Sequence, residues 1–524
     1  MTDTTTLPGT AVRRGPLALA AAFAGVVTAA VLLAVAELVA LVIARQASPV
    51  LAVGSFVVDI VPRWAKEFAI ATFGDNDKLF LLASLGVGVL VAAAIAGVLE
   101  LLRPPLGMIV IGLAGALSVL AIVTRAGAAP FASVPTIVGT VVGLLVMRLL
   151  FRRLRAWRSA DAPTAPIAAT SRRSFFRIAL IAAAGAAVVG TGARLVNAAT
   201  SSLASLRDAL TLPKPATTVT IPADAELDIP GLSSLVTDNA DFYRVDTALT
   251  VPSIDPSTWR LTVTGMVDTE ISMSFQDLLD MGLDEYAVTL TCVSNEVGGG
   301  LVGNAVWLGV PIRDVLARAG VQGDADMVLS RSVDGYTAST PLSSLTDDGL
   351  DAILAVGMNG EPLPFEHGFP VRMVVPGLYG YVSATKWLTE LKVTRFDQDE
   401  AYWTPRGYDA EAPIKLSSRI DTPRVDKAIE AGPTKVAGVA WAQSVGIAGV
   451  EVSIDDGAWQ PATLAGAIND DTWVQWYLDW QADAGTHYVS VRATDKAGTV
   501  QIEDRAPIAP NGSSGWQRTL VRVS

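Results

Sequence analysis

Four long apolar runs open the chain, Leu17 to Ile43, Leu79 to Leu102, Leu106 to Val123 and Val134 to Phe151, with no regular polar face. At a rise of about 1.5 Å per residue each predicts a helix able to cross about 30 Å of hydrocarbon. A fifth, weaker run rich in Ala and Gly follows "SRRSFF" and predicts another anchor. Between the first two spans, "VPRWAKEFAIATF" reads equally as a short interfacial helix or a solvated loop. Residues 201–231, rich in Ser, Thr, Pro and Ala, read as a linker. From 232 to 410 the pattern mixes strand-like runs such as "WRLTVTGMV" and "EYAVTLTCV" with short helical ones such as "PIRDVLARAG", which predicts an α+β domain. From 411 to 524 only strand-length runs remain, with a hairpin signal at Asp456-Gly457, which predicts an immunoglobulin-like β-sandwich. Its tryptophans, Trp441, Trp459, Trp473, Trp476 and Trp480, are expected in core and rim packing, with a subunit interface as the second reading.

Charge adds an orientation. Residues 1–210 carry 18 Lys/Arg against 9 Asp/Glu, a balance of +9, and the remainder 21 against 42, a balance of −21. The acidic half is poorly suited to nucleic acid. Arg13 and Arg14 before the first span and "RRLRAW" after the fourth place the amino terminus and the 152–177 loop in the cytoplasm by the positive-inside rule. Ser171, Arg172, Arg173, Phe175 and Phe176 resemble a twin-arginine export signal, the address of proteins moved across a membrane already folded, so residues 161–200 are expected to hold that motif and an anchor. Everything after Thr200 is then expected outside the cytoplasm.

Candidate chemistry is sparse. Cys292 is the single cysteine, which excludes an intrachain disulfide and a four-thiolate Fe–S cluster from this chain alone. No histidine lies in the apolar region, and Met108 and Met147 make a poor haem ligand set. The four spans hold few ionisable groups, Glu37 the most intramembrane-looking, so those helices are expected to anchor the chain or pack on a partner rather than transport. Cys292, at the end of a strand and before the polar, glycine-rich "SNEVGGG", is on spacing alone either an inert core thiol or a metal ligand.

The segments "DFYRVDTALTVPSIDPSTWRLTVTGMV", "VTLTCVSNEVGG", "MNGEPLPFEHGFPVRMVVPGLYGYVSATKWL" and "EAYWTPRGY" together resemble the sulfite oxidase family of molybdopterin enzymes, and "GVAWA", "DDGAWQPA" and "NGSSGWQR" its β-sandwich dimerisation domain. The resemblance implies one molybdenum–molybdopterin cofactor per chain, with Cys292 as the thiolate ligand. It places Asn239, Tyr243, Arg244, His367, Arg372, Ser383, Thr385 and Lys386 on the pterin and its phosphate, with Gly377 and Gly380 admitting the cofactor to the backbone. It gives Arg244 and Tyr402 as catalytic candidates, Tyr402 out of register with the family's active-site tyrosine. A departure concerns substrate: sulfite-oxidising members have arginines just after the ligand cysteine, whereas this chain has Glu296 and Val297. A carboxylate there would repel sulfite, so a neutral or cationic oxide or sulfoxide is expected. With no haem, flavin or Fe–S signature, electrons are expected to pass to or from a membrane-associated cytochrome, quinone or Rieske-type partner, and a homodimer is compatible with the resemblance. The rival reading is a cofactor-free surface assembly module with a degenerate fold.

Overall fold

The computed structural model describes residues 14–43, 53–54, 72, 77–124, 131–160, 167–198 and 201–524. The "VPRWAKEFAIATF" stretch lies almost wholly outside them. The chain forms two compact units, residues 1–201 with 248–250, and residues 202–247 with 251–524.

The first unit is helical. Among the described residues, four helices are long and apolar enough to cross a membrane: Arg14–Ile43, Asp77–Leu102, Leu106–Val123 and Val134–Ala160. The last runs past the expected span, so "RRLRAW" forms its final turns rather than a loop. Arg155 from those turns meets the buried Glu100 at 2.8 Å, and Glu100 also accepts the backbone N–H of Met108 at 3.2 Å. A buried carboxylate is retained only when paired and hydrogen-bonded, as here. "SRRSFF" lies within the helix Ile167–Ala198, where Phe175 is buried beside Trp157 and Arg172 sits over the same indole at 5.6 Å.

The second unit contains four sheets. One sheet orders its strands as Ile271–Ser274, Arg260–Gly265, Leu388–Thr394, Met327–Ser332 and Thr337–Pro341, with a single parallel pairing between Arg260–Gly265 and Leu388–Thr394. A second runs Asp284–Thr291, Val302–Pro311, Ile353–Met358 and Glu361–Pro362, with Arg372–Val374 also paired to Ile353–Met358. Asp284–Thr291 is buried on both faces over its last five residues, which explains its unbroken apolar and Thr run. Two four-stranded antiparallel sheets follow, Ser417–Thr422, Gly432–Trp441, Val474–Ala482 and Thr463–Leu464 in one, and Gln460–Pro461, Ile447–Ile454, Gly485–Asp495 and Gln517–Val523 in the other. Val436, Val450, Val452, Trp476, Val489 and Val521 form their core.

Two contacts of this arrangement bear on the site. The stretch expected as a linker is bonded to the second unit: Ala216 donates to the carbonyl of Leu283, Thr217 to Asp284 and Leu227 to Gln475. Its prolines and threonines serve an extended segment laid along the unit, not a free tether. The carboxy-terminal sheets also grip the chain on both sides of Cys292. Gln443 donates to the carbonyl of Thr289, Trp473 N–H to its hydroxyl, and Arg419 to the carbonyl of Gly299.

Candidate active site

Cys292 follows the last residue of Asp284–Thr291, and its N–H still pairs with the carbonyl of Leu301 at 2.9 Å, so the ladder fixes its position. The loop beyond it folds on itself: Asn295, buried, accepts the N–H of Leu301 at 2.8 Å. The thiol lines a cavity, is buried, and receives the N–H of Ser294 at 3.4 Å. Burial raises its pKa, partly offset by the hydrogen bonds of Ser294 and the charge of Lys386. Glu296 is exposed and does not line the cavity, which corrects the expectation that it faces the substrate. The loop's closure on Asn295 turns it outward.

His367, Arg372 and Lys386 reach the same cavity from one segment. Pro364 starts the short helix Phe365–His367, and Gly368 ends it at φ +112°. A Cβ at Gly368 would lie 3.0 Å from the Cβ of Arg372 and 3.1 Å from that of Lys386, so glycine is what allows the two cations to converge. His367 Nε2 pairs with the carbonyl of Asn239 at 2.9 Å, and burial pushes its pKa down to about 4, so it is neutral. Lys386 is bound by Asp246 at 2.8 Å and by the carbonyl of Glu366 at 3.0 Å, and burial lowers its pKa to about 8. Arg372 bonds the carbonyls of His367 and Met373 and lies 5.0 Å from the centre of the Trp307 ring. Among the described residues no carboxylate forms a salt bridge with it, and burial lowers its pKa to about 10. A buried guanidinium answered only by carbonyls and a ring is a place for an anion.

Other expected residues divide. Tyr243 lines the cavity, stacked on Phe242 at 5.2 Å, and burial and then Cys292 raise its pKa. Arg244 bonds Asp246 at 2.8 Å and lines a neighbouring pocket with Asn239, Arg207 and Glu366. His367 borders both. Ser383 and Thr385 are not cavity donors: Ser383 donates to the carbonyls of Leu378 and Tyr379, and Thr385 pairs with Ser330 at 2.7 Å. Gly377 makes a turn at φ +77° away from the cavity wall, whereas Gly380 lines it. A Cβ at Gly380 would meet nothing closer than 3.6 Å and would face the Tyr243 hydroxyl at 3.9 Å. Tyr402 does not line the cavity; its ring packs against Tyr336 at 5.7 Å, and Tyr336 lines it instead.

Tyr336 comes from a hairpin tip. Ser332, Asp334 and Tyr336 all line the cavity from the connection between Met327–Ser332 and Thr337–Pro341, where Gly335 takes φ +91°. The Asp334-Gly335 pair carries the same hairpin signal as Asp456-Gly457. Ser332 Oγ is buried with no hydrogen-bond partner, which native interiors rarely tolerate without a ligand or water. The donor set therefore fits an anionic cofactor carrying a soft metal: one thiol, one guanidinium lacking a carboxylate, an orphaned hydroxyl and a glycine-lined gap.

Comparison with known proteins agrees with that chemistry. The family described as oxidoreductase molybdopterin binding domain matches residues 248–403. Human mitochondrial sulfite oxidase is 32% identical over 340 residues, 55% of this chain and 62% of that protein. Chicken sulfite oxidase is 31% identical over 50% of this chain and 67% of its own length. The uncharacterized oxidoreductase YuiH of Bacillus subtilis is 36% identical over 29% of this chain and 74% of its own length. The chain thus spans under two thirds of the length of the human relative.

Proposed function

The chain belongs to the sulfite oxidase family of molybdopterin-dependent oxidoreductases, and from that premise we propose that it is a membrane-anchored enzyme transferring an oxygen atom to or from a small molecule. The observation that carries the reading is the convergence of Cys292, Arg372 and Lys386 on one cavity. The molybdenum–pterin group supplies, when bound, the two-electron oxygen-atom exchange. Cys292 would hold the metal as a thiolate, a soft donor that binds deprotonated. Arg372, backed by His367 and Gly380, would neutralise and orient the anionic pterin, and the adjoining pocket of Arg244 and Asn239 suits its phosphate end. Lys386 is already paired with Asp246 at 2.8 Å, so it positions more than it neutralises. Tyr336, kept protonated by burial and donating its hydroxyl to the carbonyl of Tyr381 at 2.8 Å, replaces Tyr402 in our reading as the tyrosine of the cavity wall.

Finer features complete the proposal. Four spans with a fifth on Ile167–Ala198, and the "SRRSFF" signal, would place the catalytic unit outside the cytoplasm. On this reading residues 232–410 would form the molybdopterin domain and 411–524 an immunoglobulin-like, dimerisation-type module. A membrane-associated cytochrome, quinone or Rieske-type partner would exchange electrons with the site, and a homodimer fits the module. The cofactor-free assembly reading leaves the Arg372 guanidinium and the Ser332 hydroxyl unexplained, and is not favoured. The test is turnover by detergent-purified full-length protein supplied with a redox dye. Activity on sulfite, a sulfoxide or an N-oxide that requires the dye supports the proposal; activity without any electron carrier contradicts the partner, and none with any substrate contradicts the enzyme.

A further inference from the structure

Two stretches that frame the cavity, the strand leading to Cys292 and the turn leading to Gly380, approach each other closely: a Cβ at Gly380 would stand 3.8 Å from the carbonyl oxygen of Thr291. Behind that contact one side chain from the carboxy-terminal sheets holds both. Gln443, buried just past the strand Gly432–Trp441, donates from Nε2 to the carbonyl of Thr289 and, at 2.9 Å, to that of Asp471. Its Oε1 accepts the N–H of Gly377 at 3.3 Å. Thr289 lies three residues before Cys292, and Gly377 three before Gly380. The amide thus uses both donors and its acceptor, a set that no carboxylate or thioether of the same length supplies. The junction is fixed on every side. Thr289 N–H donates to the carbonyl of Asp471 at 3.0 Å, while its hydroxyl accepts the N–H of Trp473 at 2.8 Å and donates to Asn304 at 3.0 Å. Ser444, beside Gln443, takes a left-handed φ of +63° and is kept there by the Asp471 carboxylate, which accepts its N–H at 3.0 Å and its hydroxyl at 2.9 Å. Such a strained residue persists only where its surroundings over-determine it. A Cβ at Gly377 would lie 3.2 Å from the Ser444 hydroxyl, so the glycine turn is pressed against this loop. Gln475 offers a contrast: equally buried in the same sheets, it accepts the N–H of Leu227 at 2.6 Å and donates to the carbonyl of Ser233 at 2.7 Å, fastening the extended segment and not the cavity frame.

We propose that Gln443 is a positioning residue of the cofactor site: from the carboxy-terminal sheets it sets the spacing between Cys292 and Gly380, and retention of the anionic pterin group depends on it. It deepens the function proposed above and rests on the reading of the cavity as that group's place. The carboxy-terminal sheets then belong to the site itself, acting through Gln443 on residues that line the cavity while Gln443 does not line it.

The test uses full-length protein in detergent and takes the Cys292 thiol as reporter, since the chain has no second cysteine. Iodoacetamide labelling of cofactor-free protein, pterin retained through purification and thermal melting are measured on the parent, Gln443→Met, Gln443→Asn and Gln475→Met. In Gln443→Met, labelling is expected to rise about tenfold and pterin content to fall by a similar factor, because buried carbonyls lose their donor and the frame opens more readily. Gln443→Asn, with the amide on a shorter arm, should fall between Gln443→Met and the parent. Gln475→Met should melt below the parent yet label and load as the parent does, which separates positioning from loss of stability. Labelling and pterin content in Gln443→Met equal to the parent's, or shifted no further than in Gln475→Met, would overturn the assignment. A parent devoid of pterin and molybdenum would instead defeat the functional reading, and the labelling contrast then decides whether Gln443 positions Cys292. Circular dichroism identifies a misfolded Gln443→Met, in which case Gln443→Asn carries the comparison.

Discussion

Lys386 Nζ lies 2.8 Å from Asp246 Oδ2 with both side chains almost wholly removed from solvent, while Arg372, converging on the same cavity, has only carbonyls and a ring. One cation is answered within the protein and the other is held for a ligand. The two therefore respond oppositely to substitution.

Replacing Asp246 with Asn strands a buried ammonium, and removing one partner of such a pair costs about 3–5 kcal/mol. The Asp246→Asn protein is expected to melt well below the parent when cofactor-free, and by a smaller margin when loaded, because the anionic group partly replaces the lost carboxylate. Thermal denaturation of both forms measures this.

Arg372→Met is expected to do the reverse. Removing a buried charge with no carboxylate leaves the cofactor-free fold as stable as the parent or more so. Pterin retained through purification should fall by about tenfold or more, which corresponds to losing a single charge-assisted contact. Parallel melting curves and pterin fluorescence separate the two effects.

Gly380 and Gly368 form a second contrast. Gly380→Ala puts a methyl into the gap facing the Tyr243 hydroxyl without touching protein atoms closer than 3.6 Å. It is expected to leave stability unchanged within about 1 kcal/mol and to impair loading. Gly368→Ala meets both a left-handed backbone and contacts of 3.0–3.2 Å, so it should destabilise the fold itself. Expression, melting and pterin content of the pair read this out.

His367 predicts a pH dependence of definite sign. Its folded pKa of about 4 lies below the ordinary 6.5, so the unfolded chain binds more protons between those values. Its contribution is complete above pH 6.5 and is lost as pH falls toward 4, by about 3 kcal/mol at most. Carboxylates titrate over the same range, so the measurement is the difference in denaturant stability between parent and His367→Gln at pH 7 and pH 4.5. The gap between them should narrow at the lower pH.

The apolar runs were legible in the sequence because hydrocarbon thickness dictates their length: Leu106 to Val123 is the helix observed, end for end. The strand and solitude of Cys292 left its role open, and the resemblance of the surrounding motifs singled it out together with His367, Arg372 and Lys386, which Gly368 draws to one cavity. Ser383 and Thr385 were misplaced because sequence places a hydroxyl near a site without saying where it points, and both satisfy internal partners. Glu296 was misplaced for a related reason: Asn295 closes the loop and turns its neighbour outward. Asp334 and Tyr336 went unnoticed because their hairpin lies in the other sheet, and only tertiary packing brings its tip to Cys292. The Asp-Gly signal identified the turn but not what it faces.

On the proposed reading Cys292 holds a molybdenum–pterin group in the cavity it shares with Arg372. Elemental and pterin analysis of full-length parent and Cys292→Ser protein, purified from a molybdenum-replete host, tests it most directly. Close to one molybdenum per parent chain is expected, and in the variant retained pterin with redox activity abolished. A parent chain free of molybdenum, or a Cys292→Ser protein as active as the parent, would contradict it.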